Sequence, residues 1–128
     1  MPANPRVLIA DDDEHIRKLL EGIIISSGCD IVGQAHDGNE AVSQFKSNKP
    51  DITLLDIDMP KMNGIEALGE IISIKPDAFV IMLTAQNSTD AVRQCITRGA
   101  KQYLLKEHSP EKLSEMIAGT IKQYIEKT

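Results

Sequence analysis

The chain contains no tryptophan, and Phe and Tyr together make up only 3% of it. A stacking surface for single-stranded nucleic acid is therefore not expected. Positive charge is scarce as well: 14 Lys and Arg stand against 19 Asp and Glu, a net charge of −5. That balance favours solubility and disfavours direct binding to nucleic acid or to an anionic membrane. No apolar run approaches the length of a membrane span, and the first six residues carry no apolar signal core, so a cytoplasmic location is expected. The only cysteines, Cys29 and Cys95, lie far apart and match no metal or redox spacing. They read as reduced, packed thiols. His15, His36 and His108 also lack ligand spacing and read as solvated or capping residues. Repeats, low-complexity tracts and linkers are missing too. With 128 residues, 41% of them hydrophobic, one compact domain over residues 1–128 is expected.

What the chain does have is a steady alternation of strand-like and helix-like segments. Arg6–Ala10, Asp30–Ala35, the run ending at Asp56, residues 79–83 and Gln102–Leu105 read as strands. Between them, residues 14–27 place Ile16, Leu19, Leu20, Ile23 and Ile24 at helical spacing, with Gly28 as a stop. Asp37-Gly38 opens a second helix, and a third runs from about Gly64 to Ile74 before Pro76 breaks it. Ser88 or Thr89 caps a fourth, which Gly99 ends, and Ser109-Pro110 opens the last. Strands alternating with helices imply parallel pairing through right-handed crossovers. The predicted fold is α/β, a doubly wound five-stranded (βα)₅ sheet.

In such sheets the ligand crevice lies outside the carboxyl ends of the strands. Those ends carry the chemistry here. Asp11 and Asp12 follow the first strand, Asp56 the third, Thr84 the fourth and Lys106 the fifth. Taken singly, each has a plain explanation: a helix cap for Asp12 or Asp13, a turn for Asp56, β-propensity for Thr84, a solvated edge for Lys106. Four strand ends carrying such residues on one rim are hard to explain that way. Carboxylates converging from separate strands repel unless a cation joins them, so the cluster predicts a hard divalent metal, Mg²⁺.

This pattern, with Asp56-Ile57-Asp58-Met59-Pro60-Lys61-Met62-Asn63-Gly64 and Thr84-Ala85 between the acidic pair and Lys106, closely resembles the response-regulator receiver domain, the CheY-like family of two-component signalling. The resemblance covers essentially the whole chain. It implies the flavodoxin-like strand order 2-1-3-4-5 and makes Asp56 the phosphoacceptor. It further implies that Asp12 binds Mg²⁺ directly, Asp11 mainly through water, and Asp58 through its backbone carbonyl. Thr84 and Lys106 would contact the phosphoryl oxygens, and Tyr103 holds the family's aromatic switch position. The implied partners are a histidine kinase or histidine phosphotransfer protein, and a downstream target or an output domain outside this sequence. The switched surface would comprise the last two helices and the fifth strand.

The chemistry stands without the family. A carboxylate attacking a phosphoryl group needs its charge neutralised, which Mg²⁺ and Lys106 supply, while Thr84 offers a hydroxyl donor. Two departures from the family pattern are visible. Glu107 follows the Lys where Pro is usual, so the Lys106–Glu107 peptide is expected to be trans, the following loop displaced and Lys106 held less firmly. Asp58 and Gln86 stand at positions that vary in the family: Asp58 would add a further acid beside the metal, and Gln86 could orient a hydrolytic water. Both bear on the lifetime of a phosphorylated state.

Three rivals fit less well. Asp56-Ile57-Asp58 resembles the DxD nucleophile motif of haloacid-dehalogenase-type phosphatases, but there the motif lies on the first strand and the acidic pair comes late. A nucleotide- or flavin-binding module would need a Gly- or Ser/Thr-rich phosphate loop where Asp11-Asp12-Asp13 stands. A phosphorylation-independent scaffold would not need the complete site. The expected protein is thus a self-phosphorylating, self-dephosphorylating switch and not a turnover enzyme.

Overall fold

The computed structural model describes residues 4–127. Five strands alternate with five helices: β1 (Arg6–Ala10), α1 (Glu14–Ser26), β2 (Asp30–Ala35), α2 (Gly38–Asn48), β3 (Ile52–Leu55), α3 (Gly64–Ile74), β4 (Phe79–Thr84), α4 (Thr89–Thr97), β5 (Gln102–Leu105) and α5 (Pro110–Lys127). All four strand pairings are parallel, in the order β2-β1-β3-β4-β5. The expected architecture is present, with β4 one residue longer and α1 one residue shorter than the sequence reading.

Period-two alternation sorts the strand side chains onto two faces. Leu8, Ala10, Leu55, Val80 and Met82 pack against α2, α3 and α4. Val7, Ile9, Ile52, Leu54, Ile81 and Leu83 pack against α1 and α5. The three central strands are therefore buried on both sides, which is why they read as unbroken apolar runs. Each fully buried Leu or Ile there contributes about 1.5–3 kcal/mol.

The helix starts follow from local chemistry. Asp13 caps α1 by accepting from the backbone N–H groups of His15 and Ile16. Asp37 accepts from Glu40 N at 2.7 Å. Asn63 and Glu66 form a reciprocal capping box on α3, and Ser88 caps α4. Ser109 accepts from Lys112 N at 3.2 Å beneath α5. Two glycines are required by close approach. A Cβ at Gly64 would overlap the carbonyl of Asp56, and one at Gly38 would overlap the carbonyl of Met62. The loop after Asp56 can fold back against its own strand end only because Gly64 has no side chain.

Candidate functional site

Parallel pairing places the ends of β1 and β3 side by side, and their ladder runs through Ala10↔Leu55. The next residues, Asp11 and Asp56, are only 1% and 3% exposed. Burying two carboxylates side by side is costly unless a cation or hydrogen-bond donors join them. Lys106, arriving from the end of β5, supplies the charge. Its Nζ lies 2.7 Å from Asp11 Oδ2 and 2.9 Å from Asp56 Oδ2. Backbone donors complete the set: Asp13 N donates to Asp11 Oδ1 at 2.9 Å and Asp58 N to Asp56 Oδ1 at 3.3 Å.

Burial raises the pKa of Asp11, against the opposing hydrogen bond from Lys106. Burial also works against the charged form of Lys106, but its hydrogen bonds to Asp11 and Asp56 outweigh this and its pKa is raised. The ammonium stays protonated while it bridges the two acids. Asp12 is exposed, yet one of its carboxylate oxygens lies within 4.8 Å of oxygens from Asp11 and Asp56. An all-oxygen donor set of this kind suits a hard cation.

The Lys106–Glu107 bond is trans, since no peptide bond among the described residues is cis. The expected loosening of Lys106 is not found. Its side chain is only 17% exposed and ties two strand ends together. The bond from Lys106 N to Thr84 O at 3.0 Å continues the β4–β5 ladder and sets the side chain's starting point before residue 107 is reached.

Asp58 and Gln86 pair with each other, a contact the sequence reading did not include. The Asp58 carboxylate is not part of the three-acid cluster; it accepts from Gln86 Nε2 at 2.8 Å. One N–H of the Gln86 amide is thereby engaged by Asp58. Gln86 N donates to Thr84 Oγ1 at 3.3 Å, and Gln86 O accepts from the Tyr103 hydroxyl at 2.7 Å. Gln86 thus links the fully buried Thr84, the half-buried Tyr103 and the acid two residues beyond Asp56. Burial raises the Tyr103 pKa, so the phenol remains a donor near neutrality.

A second group was not legible in the sequence. His36 Nδ1 lies 3.4 Å from Asp37 and its Nε2 lies 3.3 Å from Glu40. Its ligand-type atoms cluster as the rim acids do, but it sits at the N-terminus of α2, where the helix dipole disfavours a cation. Asp37 and Glu40 are accounted for there as cap and first-turn acid. The cysteines match expectation: both are free and buried, and burial raises both thiol pKa values.

The chain belongs to the response regulator receiver domain family, whose profile matches residues 7–118. It is 41% identical over 112 residues to the chemotaxis protein CheY of Thermotoga maritima, covering 88% of this chain and 93% of that protein. It is 39% identical over 123 residues to the transcriptional regulatory protein PdtaR of Mycobacterium tuberculosis, covering 96% of this chain and 60% of that one. Among solved structures, the response regulator domain of Thermotoga maritima CheB matches with a TM-score of 0.87 at 32% identity, over 96% of this chain and 97% of that one. The CheX–CheY–BeF₃–Mg²⁺ complex of Borrelia burgdorferi matches with a TM-score of 0.84 at 36% identity, over 91% and 88%. The chain is a receiver domain of CheY type. No helix among the described residues is long and apolar enough to cross a membrane.

Proposed function

We propose that Asp56 accepts a phosphoryl group from a phosphohistidine donor, a histidine kinase or phosphotransfer protein, and that residues 1–128 act as one cytoplasmic switch domain. The observation that carries this reading is the bridge of Lys106 between two buried acids from separate strands. A carboxylate oxygen of Asp56 bonds to phosphorus as the phosphorus–nitrogen bond breaks. The electron pair leaves on the imidazole nitrogen, which takes a proton from solvent. Asp11, Asp12, Asp56 and the Asp58 carbonyl would hold Mg²⁺, which when bound supplies charge neutralisation on the transferring oxygens. Lys106 moves its hydrogen bond from the Asp56 carboxylate to a phosphoryl oxygen, and the Thr84 hydroxyl donates to another. Water attack at phosphorus later releases phosphate and restores the carboxylate.

The new group adds about −1.5 to −2 charge and strong acceptors at the rim. A shift of Thr84 toward it is transmitted to Gln86 and, through the Gln86 carbonyl, to Tyr103. The responding surface is then α4, β5 and α5, which a downstream target or an output domain would read. Incubation with acetyl phosphate and Mg²⁺ tests the reading. An alkali-labile, acid-stable label is expected on the parent protein and none on Asp56→Asn. Persistent label on that variant would place the acceptor elsewhere, and turnover of a generic phosphomonoester would favour a phosphatase instead.

A further inference from the structure

At the opposite end of the sheet, the C-terminal ends of α2 and α3 enclose a groove of about 320 Å³. Phe45, Pro50 and Ile74 form its apolar lining, and Lys46, Lys49 and Lys75 make up the rest. Ile74 is one of the few large apolar side chains left substantially exposed, at 43%. No acid lines the groove. Among the described residues the lysines that form ion pairs are Lys18, Lys61, Lys106 and Lys112, so the three groove lysines have no carboxylate partner there.

Lysines near helix C-termini complement the helix dipole, and that accounts in part for Lys46 and Lys75. It does not account for the exposed Ile74 beside them. Nor does it explain Lys49, which caps α2 at φ 47° and ψ 60°, a left-handed conformation that glycine or asparagine adopts with less strain. Arg6 Nη1 pins that residue by donating to its carbonyl at 2.8 Å. A cation is thus kept at the groove rim where a smaller residue would suit the backbone better. Strained residues of this kind are a pointer to function.

We infer that this groove docks an acidic peptide segment of a partner protein, with one aliphatic side chain seated between Phe45 and Ile74 and flanking carboxylates paired to Lys46, Lys49 and Lys75. Charge complementarity selects an acidic ligand, and the concave apolar lining selects a protruding side chain. A flat membrane surface would meet the lysines without reaching the buried Phe45. A nucleic acid would find no exposed aromatic plane, and the net charge of −5 repels a long polyanion. A short peptide with few charges avoids that repulsion. The inference does not depend on chemistry at Asp56.

The test is amide-resolved NMR titration of the ¹⁵N-labelled protein with a capped peptide carrying a central leucine flanked by glutamates. Saturable shifts are expected at Lys46, Lys49, Ile74 and Lys75, reaching saturation at or below about 1 mM, the weak end of specific recognition. Replacing the leucine by serine should weaken binding at least tenfold, as should the double charge reversal Lys46→Glu/Lys75→Glu. Acetyl phosphate labelling of that double variant should be unchanged, which shows that it folds. Shifts that never saturate, equal affinity for the serine peptide, shifts centred on Asp56 and Thr84, or an unaffected double variant would each overturn the inference. Co-sedimentation with phosphatidylcholine–phosphatidylglycerol vesicles that the double variant loses would overturn it too, by assigning the groove to a membrane.

Discussion

The two ends of the sheet are made by the same strands, yet they handle charge in opposite ways. At the carboxyl end, acids from β1 and β3 are buried within bonding distance of one lysine from β5. At the amino end, the side chains of Lys46, Lys49 and Lys75 stand in solvent on helix ends, with no ion pair to a carboxylate among the described residues. The exposed lysines cost the fold little. The buried acids are a standing electrostatic expense, tolerable because Lys106 and backbone donors offset it. The lesson is that charge alone does not make a chemical site. Burial and convergence turn a charge cluster into one that a cation or a phosphoryl group can relieve, while exposed charge makes a surface for recognition.

Breaking the carboxyl-end bridge should have the largest effect. Lys106→Ala should keep its cation site but slow label transfer from acetyl phosphate by about 10²–10³, the usual result of losing one preorganised donor to a developing charge. Lys75→Ala should leave the rate unchanged. Equal losses in the two variants, measured as initial labelling rates, would erase the distinction between the ends.

Next comes the metal. Asp12→Asn should weaken Mg²⁺ binding on the order of 100-fold, since even groups behind the ligands are worth 10–100-fold. Calorimetric titration of the purified protein decides this, and unchanged affinity would remove Asp12 from the site.

Thr53 offers a smaller test, midway between the ends. Its hydroxyl is buried in the middle of β3 with no hydrogen-bond partner among the described residues. Thr53→Val keeps the shape and removes the orphan, so stability should rise by about 1 kcal/mol with labelling unaltered. A urea midpoint that falls would show that the hydroxyl has a partner in solution.

A test of similar size, whose effect vanishes in acid, separates the acids of the carboxyl end from one another. Asp37 is also buried there, but it caps α2, and the Glu40 N–H holds its pKa below the ordinary carboxylate range. Asp37→Ala should cost about 1 kcal/mol and leave labelling intact. Because the folded pKa lies below the unfolded one, the stabilisation is complete above the ordinary carboxylate range. It is lost as pH falls through the folded value. The gap between parent and variant should therefore close in acid, as thermal melts across pH will show.

Much of this was legible beforehand because it is local. Each strand of the central three announces itself by an apolar run, and α1, α2, α4 and α5 by a capping or turn residue just ahead of them, whereas the Asn63–Glu66 box of α3 emerged only with the structure. The rim residues were legible for a topological reason: in a parallel sheet with right-handed crossovers all strand ends of one polarity lie on one side, so Asp11, Asp56, Thr84 and Lys106 had to share a rim. The pairing of Asp58 with Gln86 was not legible, because it spans two loops whose path no local rule sets. His36 beside Glu40 was hidden likewise by the turn into α2.

Sequence by itself determined the element order, the two faces of the sheet, the caps and the acidic rim, since spacing and local hydrogen bonding specify these. Tertiary structure alone decided three things. Lys106 reaches both acids despite Glu107, because the β4–β5 ladder and the opposing charges fix its position. Gln86 becomes the link between Asp58, Thr84 and Tyr103, because two loops meet over the rim. Three lysines from two helix ends gather around an apolar groove, because α2 and α3 pack side by side with their C-termini at the same end. Each depends on distances between segments remote in sequence, which only packing sets.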